Sequence, residues 1–472
     1  MPSGPEVFHD NASPPPSASL PSPSQHGAGE YGLRRGVLSP LETVAQSVSA
    51  MAPTTSPAMT IPLVFALAGN GTWLDYILAT AVMTLIAVLI GCFARRSASP
   101  GSLYTYAASL LPRWASAPAG WALLLAYIAT GCSVAGGFIR YANILLHAAC
   151  GRHLPPVVWV AIAVLVSAAM AWRDIRLSTR AMLWMEAASV ACIAIIIVAV
   201  LWKHGLHIDL AQMHLRGASG SGMRLGLVLA LFSFVGFESA TTLGEEAHNP
   251  LKTIPRALLQ CVLVLGVLFI TSAYAEVLGF HGLPETLDKS AAPFHVLAGQ
   301  AGAPVLGLAV DAGAMVSLFA GTLACITAAS RVLLLMAHNR LTPSVLTRIH
   351  SRNETPHIAV LAISVVMLVV TASMAWRGID SADIYGWMGA LAVYGFLTAY
   401  ALVCVAVPKL LRADNALTPL WMVLAGTGVV AILLALAGTL YPVPDPPYRW
   451  LPYIFLGYMI AGMGWSLGVQ RS

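Results

Sequence analysis

Charge is what this chain has least of. Asp, Glu, Lys and Arg make up 10% of its 472 residues, against roughly 25% in a soluble domain. The net charge of +5 is small and its positive residues are scattered through loops, which leaves no basic face for nucleic acid. The seven cysteines, Cys92, Cys132, Cys150, Cys192, Cys261, Cys325 and Cys404, stand singly and mostly inside apolar runs. No CxxC and no Cys/His pair has zinc spacing, so they read as small buried residues. No GxxxxGK[ST] loop occurs, which excludes a pump carrying its own nucleotide domain on this chain. No His-Glu-x-x-His and no pair of intramembrane aspartates is present, so neither an enzyme with catalytic residues nor a metal centre is expected. A channel would show a filter motif, and none is evident. The N-terminus lacks the basic start and apolar core of a signal peptide.

What the chain has instead is apolar length. It is 58% hydrophobic with mean hydropathy +0.76. Apolar segments fall near 43–68, 73–93, 119–148, 156–172, 182–202, 222–244, 255–280, 302–337, 357–376, 382–407, 418–440 and 452–469. A spanning helix needs roughly 20 mostly apolar residues, so about twelve crossings are expected of an all-α integral membrane protein. Before them, residues 1–35 form a Pro/Ser-rich tail with the composition of a disordered segment. Placing that tail in the cytoplasm puts roughly 17 of the 25 Lys and Arg on the same side. This fits the positive-inside rule, with both termini cytoplasmic in a cell membrane. The opposite loops carry His153, His204, His207, His214 and His281, which read as solvated or, less simply, as a metal-binding tract.

Two segments are interrupted. The first contains Ala50-Met51-Ala52-Pro53-Thr54-Thr55-Ser56-Pro57. Each proline removes a helical amide donor and clashes with the turn before it, at a cost of roughly 3 kcal/mol. The sixth contains Phe234-Val235-Gly236-Phe237-Glu238, a glycine followed two residues later by an ionisable side chain inside an apolar span. Lipid cannot satisfy the groups freed by a break, so broken helices survive only against protein or a wet cavity. Matched interrupted segments mark the substrate site of many secondary transporters. The helix ends at such breaks offer N–H groups to a carboxylate and C=O groups to an ammonium. The competing reading is a pair of kinked, packed helices.

The run F-S-F-V-G-F-E (Phe232–Glu238), followed by G-E-E-x-x-N-P-x-K-x-I-P-R-A (Gly244–Ala257), resembles the sixth transmembrane segment and following loop of the amino acid–polyamine–organocation (APC) transporter superfamily. The Ala-Pro in the first segment resembles its amino acid permease branch, in place of the commoner G-x-G run. The stretch S-R-V-L-L-L-M-A-H-N-R-L-T-P (Ser330–Pro343) resembles the end of the eighth segment, with His338-Asn339-Arg340 where an Arg-Asp pair is usual. The resemblance covers about residues 35 to 410. It implies a LeuT-like 5+5 inverted repeat with helices 1 and 6 broken: a ten-helix core over 36–410, with repeats at about 40–205 and 220–410, and two additional helices over 411–472. It implies secondary transport of amino acids or related amines by alternating access. The alternatives are a polyamine or organic cation transporter, or a sensor that keeps this fold without transport.

On that reading the substrate meets Ala50, Met51, Ala52, Pro53, Thr54, Thr55, Phe234, Val235, Gly236, Phe237 and Glu238. Glu238 has three candidate roles: neutralising an amine, carrying a proton, or holding a structural hydrogen bond. Phe234 reads equally as packing. Glu245 and Glu246 are candidates for an inner gate with Arg331 or Arg256, and Tyr394 for an aromatic gate. Glu186 and Ser189 in the fifth segment are coupling candidates. Some proton-coupled members carry a lysine on this helix, and none occurs between Ala181 and Trp202. Ser189, with Ser317 or Thr322, could instead supply oxygens to sodium. The driving ion is thus H+ or Na+, with no other cofactor. The expected partners are the small-molecule substrate and the lipid bilayer, for a monomer or homodimer.

Overall fold

The computed structural model describes residues 30–173, 175–205, 207–441 and 443–469. Most of the tail, residues 1–29, lies outside the described residues, so its expected disorder is not addressed there. Residues 30–35 are packed rather than free. Leu33 is buried, Tyr31 lies edge-on to His338, and Arg34 pairs with Glu354.

The described residues form helices α1 (Pro40–Met51), α2 (Ile61–Ala68), α3 (Thr72–Ala94), α4 (Ser102–Leu110), α5 (Arg113–Cys150), α6 (Pro156–Arg173), α7 (Ile175–Lys203) and α8 (Leu210–Met213). They continue with α9 (Gly220–Phe232), α10 (Pro250–Phe280), α11 (Pro293–Gln300), α12 (Pro304–His338), α13 (His357–Trp376), α14 (Ser381–Ala413), α15 (Pro419–Leu440) and α16 (Leu451–Val469). Among the described residues there are no strands, only one isolated bridge between Leu38 and Ala247. Among the described residues, ten stretches are long and apolar enough to cross a membrane. The first of them, Pro40–Ala94, runs 55 residues and is interrupted by a 3-10 turn at Gly69–Gly71. The helix boundaries follow local chemistry. Ser39 caps α1 through a reciprocal pair of bonds with Glu42, satisfying two orphan donors at once. Asp380 caps α14 through the Ala382 amide. The short helices α4 and α11 are too brief to span and carry no periodic apolar signal long enough to be read in advance.

The core lies around α5 and α12, whose spanning windows are 94% buried, while α15 lies at the periphery with 22%. The packing is paired. α3 lies on α10, α5 on α12, α6 on α13, and α1 and α2 on the segment 220–243. Small residues allow the close approaches: a Cβ at Gly131 would lie 2.1 Å from the Met367 side chain, and one at Gly395 would lie 2.4 Å from the Ala122 carbonyl.

Candidate functional site

Two breaks meet in the middle of this core. α1 ends at Ala52, which takes a left-handed φ of 46°. The chain then turns through Pro53-Thr54-Thr55 and resumes as a π-helix over Ser56–Thr60 before α2. A π turn inside an α-helical path leaves backbone groups mispaired and is common at functional sites. In the sixth segment α9 stops at Phe232. Gly236 takes φ 93°, and a 3-10 helix follows over Phe237–Leu243. A Cβ at Gly236 would lie 3.0 Å from both the Cβ and the carbonyl oxygen of Ala50. The glycine is therefore required twice, for its backbone angle and for the contact between the breaks.

Hydrogen bonds lock this junction. Ser47 Oγ donates to the Phe237 carbonyl and accepts from the Ala240 amide at 3.0 Å. Ser239 Oγ donates to the Gln46 carbonyl at 3.1 Å, and Gln46 Nε2 donates to the Ala324 carbonyl of α12 at 3.0 Å. Thr54 Oγ1 donates to Ser189 Oγ of α7 at 2.7 Å. Polar atoms at the junction stay unsatisfied: Gln46 Oε1 is buried without a partner, and so are the hydroxyls of Ser49 and Thr55, on either side of the break. A buried hydroxyl left unpaired costs about 1–3 kcal/mol.

The expected residues divide into those the fold gathers and those it separates. Ala50, Met51, Ala52, Thr54, Thr55, Val235, Gly236, Phe237 and Glu238 are all buried in the two interrupted segments, with Pro53 in the turn. Glu238 is held from the scaffold. Tyr127 of α5 donates to Oε1 at 2.7 Å and Tyr400 of α14 donates to Oε2 at 2.6 Å. Of its three candidate roles, the structural hydrogen bond is the one present in this conformation. Phe237 packs on Tyr400 with ring centroids 5.6 Å apart. Phe234 turns the other way, edge-on to Phe269 of α10 at 5.2 Å, so its ring packs between helices rather than facing the junction.

Two expectations need correction, those for Tyr394 and Glu245. Tyr394 is not beside the breaks: its ring stacks on Phe455 of α16 at 5.8 Å. Six residues on, Tyr400 lies on a different helical face and reaches Glu238. Arg331 pairs with Glu246 and not with Glu245. Its Nε and Nη2 donate to the two carboxylate oxygens at 2.7 and 2.8 Å, and both side chains are 2% exposed. Glu245 instead accepts from the Tyr31 amide at 3.3 Å, and burial raises its carboxyl above the ordinary 4.5. Beside this pair, residues 36–38 run along 245–248 through Gly36 N to Glu245 O, Leu38 N to Glu246 O and His248 N to Leu38 O. Together these close one end of the junction, here called the tail face.

Glu186 and Ser189 lie on α7 against α12. Ser189 takes the bond from Thr54, and a Cβ at Gly313 would lie 2.0 Å from its Oγ. Both oxygens of Glu186 and the hydroxyl of Ser317 are buried without a partner. Two further carboxyls passed unremarked in the sequence, Asp75 of α3 and Glu276 of α10, also buried with both oxygens unpartnered. Each carried the signal of an ionisable residue in an apolar span, with no motif beside it. Among the described residues no three of His, Cys, Asp and Glu converge as a metal site. A cavity of about 190 Å³ lined by Lys203, His204, His281 and Gln300 lies at the ends of α7, α10 and α11, away from the breaks.

Comparison with known proteins adds relatives to this geometry. The family described as Amino acid permease matches residues 44–467. An uncharacterized transporter of Mycobacterium tuberculosis is 29% identical over 344 residues, 71% of each chain. The branched-chain amino acid permease BcaP of Lactococcus lactis is 26% identical over 366 residues, covering 74% of this chain and 76% of that protein. The low-affinity putrescine importer PlaP of Escherichia coli is 24% identical over 309 residues, 62% and 65% respectively.

Proposed function

The chain belongs to the amino acid permease family, and from that premise we propose that it is a secondary transporter moving amino acids or related amines by alternating access. The family is described as amino acid permeases, and the relatives are named as transporters, permeases and importers. The observation that carries the finer reading is the junction itself. Two interrupted segments abut at mid-span, Gly236 against Ala50, with the unpartnered hydroxyls of Ser49 and Thr55 beside them. A carboxylate and an ammonium are the groups that broken helix ends bind best.

The architecture in this reading has twelve crossings. A helical path of 55 residues is roughly 80 Å long, more than twice a bilayer core. Gly69–Gly71 therefore divides it into two crossings, and α16 supplies the twelfth. The 5+5 repeat is supported by the contacts. Each helix of the first five packs on its counterpart in the second for α3 with α10, α5 with α12, and α6 with α13. The cross pairs α7 with α12 and α5 with α14 exchange into one another under the same operation. Both termini are then cytoplasmic, and the tail face is the inner gate, closed here by Arg331 and Glu246. The broken segments rock as a unit against the scaffold, with Glu238 released by or rebound to Tyr127 and Tyr400. A proton or a sodium ion drives accumulation. Exchange of one substrate for another uses the same cycle.

Relatives named for branched-chain amino acids and for putrescine support a panel that spans both. Uptake of radiolabelled amino acids and polyamines into proteoliposomes, under a proton gradient, a sodium gradient, or by exchange with preloaded substrate, tests the proposal. Saturable flux of one class supports it. Absence of flux for every compound, from folded protein, refutes transport and favours a sensor.

A further inference from the structure

We propose that Glu276 is the proton-binding site that couples transport, linked to the sixth-segment break through Tyr76 and Ser233. The inference rests on the transporter reading above and adds the driving ion and its carrier.

Glu276 lies in the last turns of α10, fully buried, and neither carboxyl oxygen has a hydrogen-bond partner. An ionised carboxylate without partners in an apolar surround costs far more than a neutral acid. The end of a helix, where the macrodipole is negative, adds to that cost. In this closed conformation the group therefore holds a hydrogen. Glu238 differs, because a tyrosine hydroxyl donates to each of its oxygens. Asp75 differs too. It shares the burial and the unpartnered oxygens of Glu276 but sits in the first turn of α3, where the positive end of the dipole offsets part of the cost of a charge.

The groups around Glu276 leave the proton as the available cation. Tyr76 lies on α3, which packs along α10, with its ring 6.0 Å from that of Phe269, two turns before Glu276, while Tyr141 of α5 donates to the Ala58 carbonyl at 3.1 Å and Tyr385 of α14 shares a 2.8 Å bond with Thr60. Asp311 of α12 is taken by His295 of α11 at 2.7 Å. The positive groups on neighbouring elements are engaged or outside. Arg140 of α5 is half-buried, and Lys203 of α7 donates to the Gln300 carbonyl at 2.7 Å. Lys289, like Asp288 beside it, is exposed. His204 bonds the Val200 carbonyl. On the remaining elements against α10, Glu42 caps the far end of α1, Glu238 is clamped, and the π segment Ser56–Thr60 has no ionisable residue.

The link to the substrate site is short. Tyr76 OH and Ser233 Oγ share a hydrogen bond of 3.0 Å, and Ser233 is the first residue beyond α9, three before Gly236. Movement of the break relative to α3 changes that bond and the surroundings of Glu276 together. Opening toward one side lets Glu276 exchange its proton there. Closing seals it as a neutral acid.

Proteoliposomes of the full chain test this with three measurements: accumulation of radiolabelled substrate under a proton gradient, accumulation under a sodium gradient, and gradient-free exchange. Wild type should accumulate under the proton gradient. Glu276→Gln should lose that accumulation at least tenfold while keeping exchange within about twofold. Glu276→Asp should retain proton drive with a shifted pH midpoint. The proposal is overturned by proton-driven accumulation in Glu276→Gln at the wild-type level, by equal loss of exchange and accumulation, or by wild-type drive from sodium alone. If Glu276→Gln does not fold, Glu276→Asp decides, and an unchanged pH profile overturns it. Exchange by wild type without proton drive refutes this proposal alone, whereas no exchange at all refutes the transporter reading with it.

Discussion

Glu246→Gln asks whether a buried charge pair holds the tail face shut. The substitution keeps the volume of the side chain and removes its charge. Arg331 is then left sealed from water without a counter-charge, its acceptors reduced to the Thr327 carbonyl at 3.0 Å and the single amide oxygen of the new Gln. Breaking a buried pair in this way costs about 3–5 kcal/mol. The cost falls on the closed conformation, because opening the tail face lets water reach the guanidinium. The closed-to-open ratio should therefore drop by about a hundred- to several-thousand-fold. Cys325 reports the opening: it is buried on α12, six residues before Arg331. The assay is the rate of its modification by N-ethylmaleimide in proteoliposomes, read by peptide mass spectrometry, alongside thermal unfolding in detergent. We expect labelling to rise at least tenfold, unfolding to shift downward, and accumulation to fall. The pair Glu246→Leu with Arg331→Met should recover thermal stability, because a hydrophobic replacement of similar volume carries no desolvation penalty. Wild-type labelling and unfolding in Glu246→Gln would refute the reasoning.

Other variants probe the junction. Tyr400→Phe removes one of two donors to Glu238 and should lower stability by about 1.5–3 kcal/mol, read by thermal unfolding, with slower exchange. An unchanged melting curve would show that the clamp contributes nothing. Gly236→Ala forces a Cβ into a left-handed position 3.0 Å from Ala50. Overpacking costs about 1–3 kcal/mol, and flux should fall at least tenfold in folded protein. Glu245 binds its proton more tightly folded than unfolded, because burial raises it above 4.5. Its contribution therefore favours the fold at low pH and declines as pH rises above that value. Unfolding of wild type and Glu245→Gln between pH 4 and 7 should diverge in that direction, and parallel curves would contradict it.

The sequence alone determined where the helices run and where two of them break. Lipid forces each crossing toward a run of about 20 apolar residues, so run length is legible without a partner. The run 357–376 coincides with α13, and 73–93 lies within α3. Proline and glycine act on the backbone locally, so Pro53, Pro57 and Gly236 marked the interruptions before any packing was known. Pairing was decided by tertiary structure. Glu245 and Glu246 are neighbours with the same chemistry, and the turn after the 3-10 segment sends one to Tyr31 and the other to Arg331. Tyr394 and Tyr400 share a helix whose polarity pattern does not reveal which face meets Glu238, because every face of α14 borders protein or lipid. Thr54 and Ser189 are 135 residues apart, and Asp75 and Glu276 have no local motif at all. Their roles come from side chains converging across helices, and in a chain that is apolar on every face the sequence carries no periodic signal for that convergence.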